Sequence, residues 1–477
     1  KKIDGYKVFF LTGTDEHGLK IQRAAEKNKK KPQEFCDEIS KTFLELSKTL
    51  NLSNNDFIRT TEKRHHLSVQ NLWNILEKKG EIYLSKYSGW YSVSDEAFYQ
   101  EDEIEEKDGF KLSISSGSPV EWLEEESYFF KLSKWQDKLL ELYENNPNFI
   151  LPKSRKNEVV SFVKAGLKDL SVSRKSFSWG IKVPSNKDHV IYVWLDALTN
   201  YISALNFPNT DDKLYKNFWP ADVHMIGKDI LRFHAVYWPA FLLAADLPTP
   251  KRVYGHGWIL SGDEKMSKSK GNILDPIEII NDYGLDPLRY YLLKEVSFGN
   301  DGSISKEKLI SCINSDLANN FGNLCQRVIA FTEKNLSLKV PEPDNFKQED
   351  LNILKKYSNN YNNIIEYINN QNINLYMNFI VDQMFLANKY FNDQEPWKKK
   401  DDQKRLNTII YTSLELLRKI SLLLYPVIPH NSLKALSIFN IKEEELSIDS
   451  IKNNEFLKPK LELKKIGILF NKINKDD

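Results

Sequence analysis

At 477 residues the chain is long enough for roughly two to four domains, each with its own core. Its 67 Lys+Arg against 66 Asp+Glu give a formal net charge of +1, which excludes a global field for nucleic acid, so any phosphate-binding surface must be local. Cys36, Cys312 and Cys325 lie far apart with no C-x-x-C pair, which argues against a disulfide framework and a Cys-ligated zinc site.

The first element is KVFFLTG (7–13), a nearly continuous apolar run of the kind that forms a strand buried on both faces. It ends in TDEHG (14–18) and enters helical sequence through about Leu50. NDFIRTT (55–61) predicts a second strand and residues 65–79 a second helix, an alternation that points to a parallel, doubly wound sheet. From about 82 to 132 the pattern becomes aromatic and alternating, as in IYLSKYSGWY (82–91), interrupted by an acidic stretch (101–108) and a turn-rich one (113–119). This reads as an antiparallel insertion. Helical sequence follows around 134–144 and 156–168. HVIYVWLD (189–196) and DVHMIGK (222–228) read as strands of the second half of the sheet, and VYGHGWIL (253–260) as a further strand leading into a charged loop.

After about 306 the chain turns helical to roughly 438. Leu351, Leu354, Tyr357, Tyr361, Ile364, Ile365 and Ile368 form one apolar stripe at helical spacing, and Leu406, Ile410, Leu414, Leu417, Ile420 and Leu424 a second. The Lys-rich tail interleaves Leu, Ile and Phe and is expected to pack back on the body. No apolar run approaches the roughly 20 residues that span a bilayer, so the chain reads as soluble and cytoplasmic. The fold class is therefore α/β: a Rossmann-like doubly wound parallel sheet split by a small antiparallel insertion, followed by an α-helical bundle domain.

The densest chemical signal is KMSKS (265–269), set between Gly262 and Gly271. Lys265 and Lys268 place two ammonium groups on a glycine-flanked segment that could swing over a polyphosphate, each charge-assisted bond contributing about 1.5–3 kcal/mol. Composition alone favours solvated surface. Its position, after a strand candidate and before a helical pattern starting near Asp275, is where open α/β sheets bind nucleotides.

Five blocks then add up to a family: TGTDEHG (12–18), YVWLDA (192–197), IGKDILRFH (226–234), KMSKS (265–269) and EPW (395–397). In their order and spread the chain resembles the methionyl-tRNA synthetases, class I enzymes with a nucleotide-binding fold and a helical anticodon-binding domain. The resemblance implies ATP with Mg²⁺, L-methionine and tRNA(Met), including the initiator, as substrates, and a monomer is expected. It implies a catalytic domain in two halves, 1–81 and 188–275, a connective insertion at 82–187, a stem-contact linker at 276–305, an anticodon-binding domain at 306–440 and a tail at 441–477. The family's first strand, H-I-G-H signature and first helix are expected before Lys1, since no H-x-G-H occurs in the chain. The insertion has no cysteine, so it is expected to fold without zinc around Trp90, Tyr91, Phe98 and Trp122.

The residues carry these roles as follows. Asp15 offers a carboxylate to a substrate ammonium or caps the next helix. His17 polarises a substrate or stabilises its loop. Trp194, Ala197, Leu198 and Tyr201, with Ile230 and His234, either pack as core or shape a slot for an unbranched thioether, which favours sulfur–aromatic contacts. Asp229 could accept from ribose hydroxyls, with Gly227 beside it, and the backbone of Ile259 should face adenine. Lys265, Ser267 and Lys268 would hold the β- and γ-phosphates. The resemblance sets Arg174 near the reacting carboxylate and phosphate, although by its residues alone it is an ordinary surface arginine. Trp397 either stacks on a splayed base or anchors its loop, and Asn319 and Arg327 fall where the family reads the anticodon.

Three other readings stay open. A class I synthetase for another apolar amino acid would carry an editing insertion longer than 82–187. A smaller nucleotidyltransferase would not need the long helical region. A non-catalytic tRNA-binding module is the reading from a different class.

Overall fold

The computed structural model describes residues 1–95, 97–107, 109–261, 264–265 and 275–474, with only the backbone described at Tyr87, Ala97, Phe98, Glu124, Glu125, Glu264 and Lys265. The chain forms two compact units, Phe9–His256 on the one hand and Lys1–Val8 with Gly257–Asp477 on the other.

The first unit is built on parallel strands. Leu11–Thr14 pairs in parallel with Asp56–Arg59. At Gly13 a Cβ would lie 1.9 Å from the Ile58 carbonyl oxygen, so only glycine permits this approach. His224–Gly227 pairs in parallel with Val253–His256, which pairs in turn with Ile150–Leu151. The helix Lys63–Lys78 buries Val69, Leu72, Trp73 and Leu76 in one core with Leu195, Leu198, Val236, Trp238 and Phe241. Each large apolar side chain so buried contributes about 1.5–3 kcal/mol.

Two strand expectations are corrected here. The run 7–13 is strand only from Leu11, with Phe10 41% exposed and its N–H donated to Asn55 Oδ1 instead of a regular ladder. In 189–196 only Val190–Ile191 is strand, paired antiparallel with Ser173–Arg174, and Val193–Leu198 is helix. Short apolar runs bury equally well in either conformation, so periodicity does not separate them.

The antiparallel insertion is present. Ile82–Ser92 and Glu121–Phe130 pair from Ile82↔Phe130 to Tyr91↔Glu121. Trp90 and Trp122 are cross-strand partners with centroids 5.1 Å apart, edge to face. They do not form a core as expected, because Trp122 is 51% exposed and only Tyr91 is buried, against Leu19, Phe177 and Val190. The side chain of Phe98 lies outside the described residues. Within 82–187, Ile150–Leu151 belongs to the parallel sheet.

The run 253–260 is two strands. At Gly257 a Cβ would lie 2.1 Å from the Asn300 carbonyl group, and the Trp258 N–H donates to Asp301 Oδ1 at 2.8 Å. Ile259–Ser261 then pairs in parallel with Gly302–Ile304 and antiparallel with Glu264–Lys265, inside the second unit. The strands flanking KMSKS therefore do not extend the Val253–His256 sheet.

The second unit is otherwise helical. Lys306–Cys312 continues through a wide-turn, π-helical stretch, Ile313–Gly322, into Asn323–Leu336. Gln403–Leu424 is buried on nearly all sides and carries the whole second stripe. The tail returns to this core: the Leu463 N–H donates to the Leu338 carbonyl at 2.7 Å, and Leu469 and Phe470 are buried. Among the described residues no helix is long and apolar enough to cross a membrane.

Candidate functional site

The loop after Leu11–Thr14 is clamped at almost every residue. Glu16 Oε1 accepts from Arg59 Nε at 2.8 Å and Thr14 Oγ1 at 2.7 Å, and Oε2 from Arg59 Nη2 at 2.9 Å and Thr61 Oγ1 at 2.5 Å. Its carbonyl accepts the Trp179 indole N–H at 2.6 Å. His17 Nδ1 lies 2.7 Å from Asp196 Oδ2, and His65 Nε2 lies 2.7 Å from Asp196 Oδ1. Burial opposes charge on Asp196, yet the two histidines outweigh it and hold its carboxyl well below the usual range. Burial also opposes the His17 imidazolium, and the Asp196 carboxylate more than offsets it, so the His17 pKa is raised.

Asp15 stands apart from its buried neighbours. It is exposed, while Glu16, His17, Gly18 and Leu19 are buried. The helix Leu19–Lys27 has Gly18 as its N-cap and no side-chain cap bond, so capping does not explain Asp15. His17 is tied down by Asp196, which favours loop stabilisation over substrate polarisation.

A second cluster forms where Val193–Leu198 and Asn200–Ser203 meet the segment after His224–Gly227. Trp194 stacks on Phe233 with centroids 3.7 Å apart and planes 8° from parallel. His234 Nδ1 donates to the Ile230 carbonyl at 3.0 Å, which leaves Nε2 to accept from the Tyr201 hydroxyl at 2.7 Å. Burial pulls the His234 pKa down to about 4, so the ring is neutral at pH 7 and this tautomer is held. Phe233–Tyr237 forms a wide π-turn around it, a feature that often marks functional sites. Ala197 and Leu198, buried at 8% and 1% exposure, lie on the same helix as Trp194. The result is a cluster of neutral rings packed against one another.

Arg174 is not the surface residue its sequence suggests. It is 1% exposed, its Nη1 donates to Ser171 Oγ at 2.8 Å and the Ser173 carbonyl at 2.7 Å, and its guanidinium lies 4.6 Å from the Tyr192 ring centroid. Asp229 is exposed in the turn Lys228–Ile230 directly after Gly227, where a Cβ would lie 2.6 Å from Asp229 Oδ1. In the second unit Ile259 is 42% exposed. Lys265 ends a two-residue strand, and Ser267 and Lys268 lie outside the described residues.

Also in the second unit, Arg327 Nη2 donates to Asn392 Oδ1 at 2.6 Å, and its guanidinium lies 5.0 Å from the Phe391 centroid. Trp397 lies 6.3 Å from the same ring and keeps 42% of its surface exposed, so it is only partly engaged as an anchor. The helix Ile373–Gln394 stops just before it because Glu395 takes a left-handed φ of 43° and Pro396 follows. Asn319 is exposed on the π-helical stretch, and its neighbour Asn320 accepts from Asn388 Nδ2 at 2.7 Å. The structure thus gathers Arg327 and Trp397 around Phe391.

The model for class I tRNA synthetases (M) matches residues 1–108 and 111–329, and that for the anticodon binding domain of methionyl tRNA ligase matches 340–477. The chain belongs to the methionyl-tRNA synthetase family. It is 49% identical over 447 residues to the methionine--tRNA ligase of Brucella suis biovar 1 (strain 1330), covering 93% of this chain and 86% of that protein. It is 47% identical over 474 residues to that of Rickettsia prowazekii (strain Madrid E), covering 98% and 92%. The crystal structure of Mycobacterium tuberculosis methionyl-tRNA synthetase bound by methionyl-adenylate superposes with a TM-score of 0.95 at 44% identity, covering 99% of this chain and 94% of that one.

Three residues of the clusters escape sequence reasoning. Phe233 sits inside the IGKDILRFH block, one residue before His234, and its aromatic neighbour was the available signal. Asp196 sits in YVWLDA, and His65 in an adjacent histidine pair without metal-ligand spacing. Their bond spans 131 positions, which no local pattern reports.

Proposed function

We propose that this chain activates L-methionine with ATP and transfers it to the 3′ end of tRNA(Met), the initiator tRNA included, for cytoplasmic protein synthesis. The carrying observation is the likeness across 99% of the chain to a synthetase bound by methionyl-adenylate. The neutral ring cluster at Trp194, Tyr201 and His234 supports methionine as the amino acid. In the first step a methionine carboxylate oxygen attacks the α-phosphorus of ATP, the bond to the bridging oxygen breaks, and pyrophosphate leaves. In the second a terminal ribose hydroxyl of the tRNA attacks the carbonyl carbon and AMP leaves. Positioning and charge stabilisation carry such chemistry without a protein nucleophile.

Asp15 accepts the substrate ammonium, and Trp194, Ala197, Leu198, Tyr201, Ile230 and His234 line the thioether slot. Arg174 serves the reacting carboxylate and phosphate. Gly227, Asp229 and the Ile259 backbone serve the nucleoside, while Lys265, Ser267 and Lys268 hold the β- and γ-phosphates with Mg²⁺. The insertion works without zinc, its shape supplied by the Ile82–Ser92 and Glu121–Phe130 ladder. The 276–305 segment contacts the tRNA stem, 306–440 reads the anticodon through Trp397, Arg327 and Asn319, and the protein acts as a monomer.

The deciding assay is amino-acid-dependent ATP–pyrophosphate exchange. Methionine should support it and leucine or isoleucine should not; equal exchange with all three would remove the assigned specificity. Trp397→Ala should weaken tRNA charging with exchange nearly intact, since loss of one base-stacking ring costs about 1–3 kcal/mol of tRNA binding. An equal fall in both activities would make Trp397 a structural anchor.

A further inference from the structure

The buried Asp196 carboxylate connects three segments distant in sequence: the loop after Leu11–Thr14, the helix Lys63–Lys78 and the helix Val193–Leu198. Asp196 and His65 are 0% exposed and His17 is 4% exposed. His65 continues the chain of bonds, its Nδ1 lying 3.0 Å from Ser203 Oγ, which donates to the Thr199 carbonyl at 2.9 Å. Trp179, in an edge arrangement, and His66, tilted, pack against the His17 ring, each centroid 5.4 Å away. Around Asp15 the loop has little freedom left. Glu16 is held by Arg59, Thr14 and Thr61, the Thr60 N–H donates to the Thr14 carbonyl, and the Gly18 N–H donates to the Trp179 carbonyl. Asp15 itself is exposed.

We propose that Asp196 is a positioning residue, which through His17 fixes the loop that presents Asp15 to the α-ammonium of the amino acid. This rests on the assignment of Asp15 above. Asp196 also sits on the helix that carries Trp194 and Ala197, so one carboxylate references the ammonium end and the side-chain end of the substrate to the same point. A fully satisfied buried network of this kind rigidifies what it joins, and loss of one member misplaces the group it orients.

The test is calorimetric titration of the purified protein with methionine and with 4-(methylsulfanyl)butanoate, the same molecule without its amino group. Asp196→Asn should weaken methionine binding about 10–100-fold and leave the affinity for the deaminated compound unchanged. In an Asp15→Ala background Asp196→Asn should have almost no further effect on methionine, because coupled groups are non-additive. His17→Ala should match the Asp196→Asn loss, and His17→Asn, whose amide N–H takes the place of Nδ1–H, should recover most of it. Should Asp196→Asn fail to fold, the two His17 variants decide the matter. Equal weakening of both ligands, or a full further loss in the Asp15→Ala background, overturns the positioning role. Wild-type protein that binds the deaminated compound as tightly as methionine instead overturns the assignment of Asp15.

Discussion

Replacing Lys268 with alanine is expected to slow methionine-dependent ATP–pyrophosphate exchange by roughly 10²–10³, or about 2.7–4 kcal/mol, the effect of removing one preorganised charge stabiliser. The segment that bears it starts and ends on described structure. Glu264–Lys265 pairs back on Ile259–Ser261, and Asp275 N-caps the helix Pro276–Tyr283 by accepting the Ile277 N–H at 2.8 Å. Residues 266–274 between these points carry Lys268, in a sequence with Gly271 following the lysine pair. Pyrophosphate leaves with charge developing on its bridging oxygen, and the Lys268 ammonium proposed to hold the phosphates would stabilise that charge. Lys268→Arg should recover only part of the rate, because a guanidinium keeps the charge but presents a planar fork instead of a compact donor. Methionine affinity without ATP should stay at the wild-type value. Exchange within about threefold of wild type in Lys268→Ala would show that the phosphates are held elsewhere.

The largest expected stability effect lies in the helical unit. Asp350 is 0% exposed and accepts from Arg405 Nη2 at 2.9 Å, Arg405 Nη1 at 2.5 Å, the Tyr390 hydroxyl at 2.5 Å and the Lys347 N–H at 2.9 Å. These bonds join Gln348–Asn359, Ile373–Gln394 and Gln403–Leu424. Asp350→Ala leaves the Arg405 charge 8% exposed and without this carboxylate, which destabilises by about 3–5 kcal/mol. For a unit of this size that lowers the thermal midpoint of its transition by roughly 6–20 °C. The pH dependence has a definite sign. Burial raises the Asp350 pKa, but Arg405, Tyr390 and the Lys347 N–H outweigh it and the net shift is downward. Its stabilisation is therefore complete above the unfolded carboxylate value near about 4 and is lost as pH falls through the lower folded value. The gap between wild type and Asp350→Ala should narrow on acidification. Scanning calorimetry at neutral and acid pH reads both effects, and a midpoint shift under about 2 °C at neutral pH would contradict the argument.

Particular residues show how much was legible beforehand. The stripe from Leu406 to Leu424 named its helix because an α-helical core face repeats at 3.6 residues, whatever it packs against. The ring at Trp194 and its partner His234 could be assigned to one place from motif blocks, with Tyr201 close behind the first of them. What they do to one another could not. The stack on Phe233, the tautomer of His234 and its depressed pKa depend on burial and on a carbonyl four residues back, which appear only after packing. Arg174 fails in the opposite direction: arginine is usually exposed, and only the fold supplies the serine, the carbonyl and the Tyr192 face that its guanidinium meets.

By itself the sequence determined the strand–helix alternation of the first 79 residues, the antiparallel character of the insertion, the helical nature of the second half and the family, because these rest on local periodicity and on motif blocks read in order. Tertiary structure alone decided that HVIYVWLD is mostly helix, that the 253–260 run breaks at Gly257 against Asn300, and that Ile150–Leu151 joins the parallel sheet. It also decided that Asp196, His17 and His65 meet in one buried network. The physical reason is common to all four. Each outcome depends on a partner brought close in space from elsewhere in the chain, and steric exclusion, ladder pairing and desolvation act between neighbours in space, which local sequence does not encode.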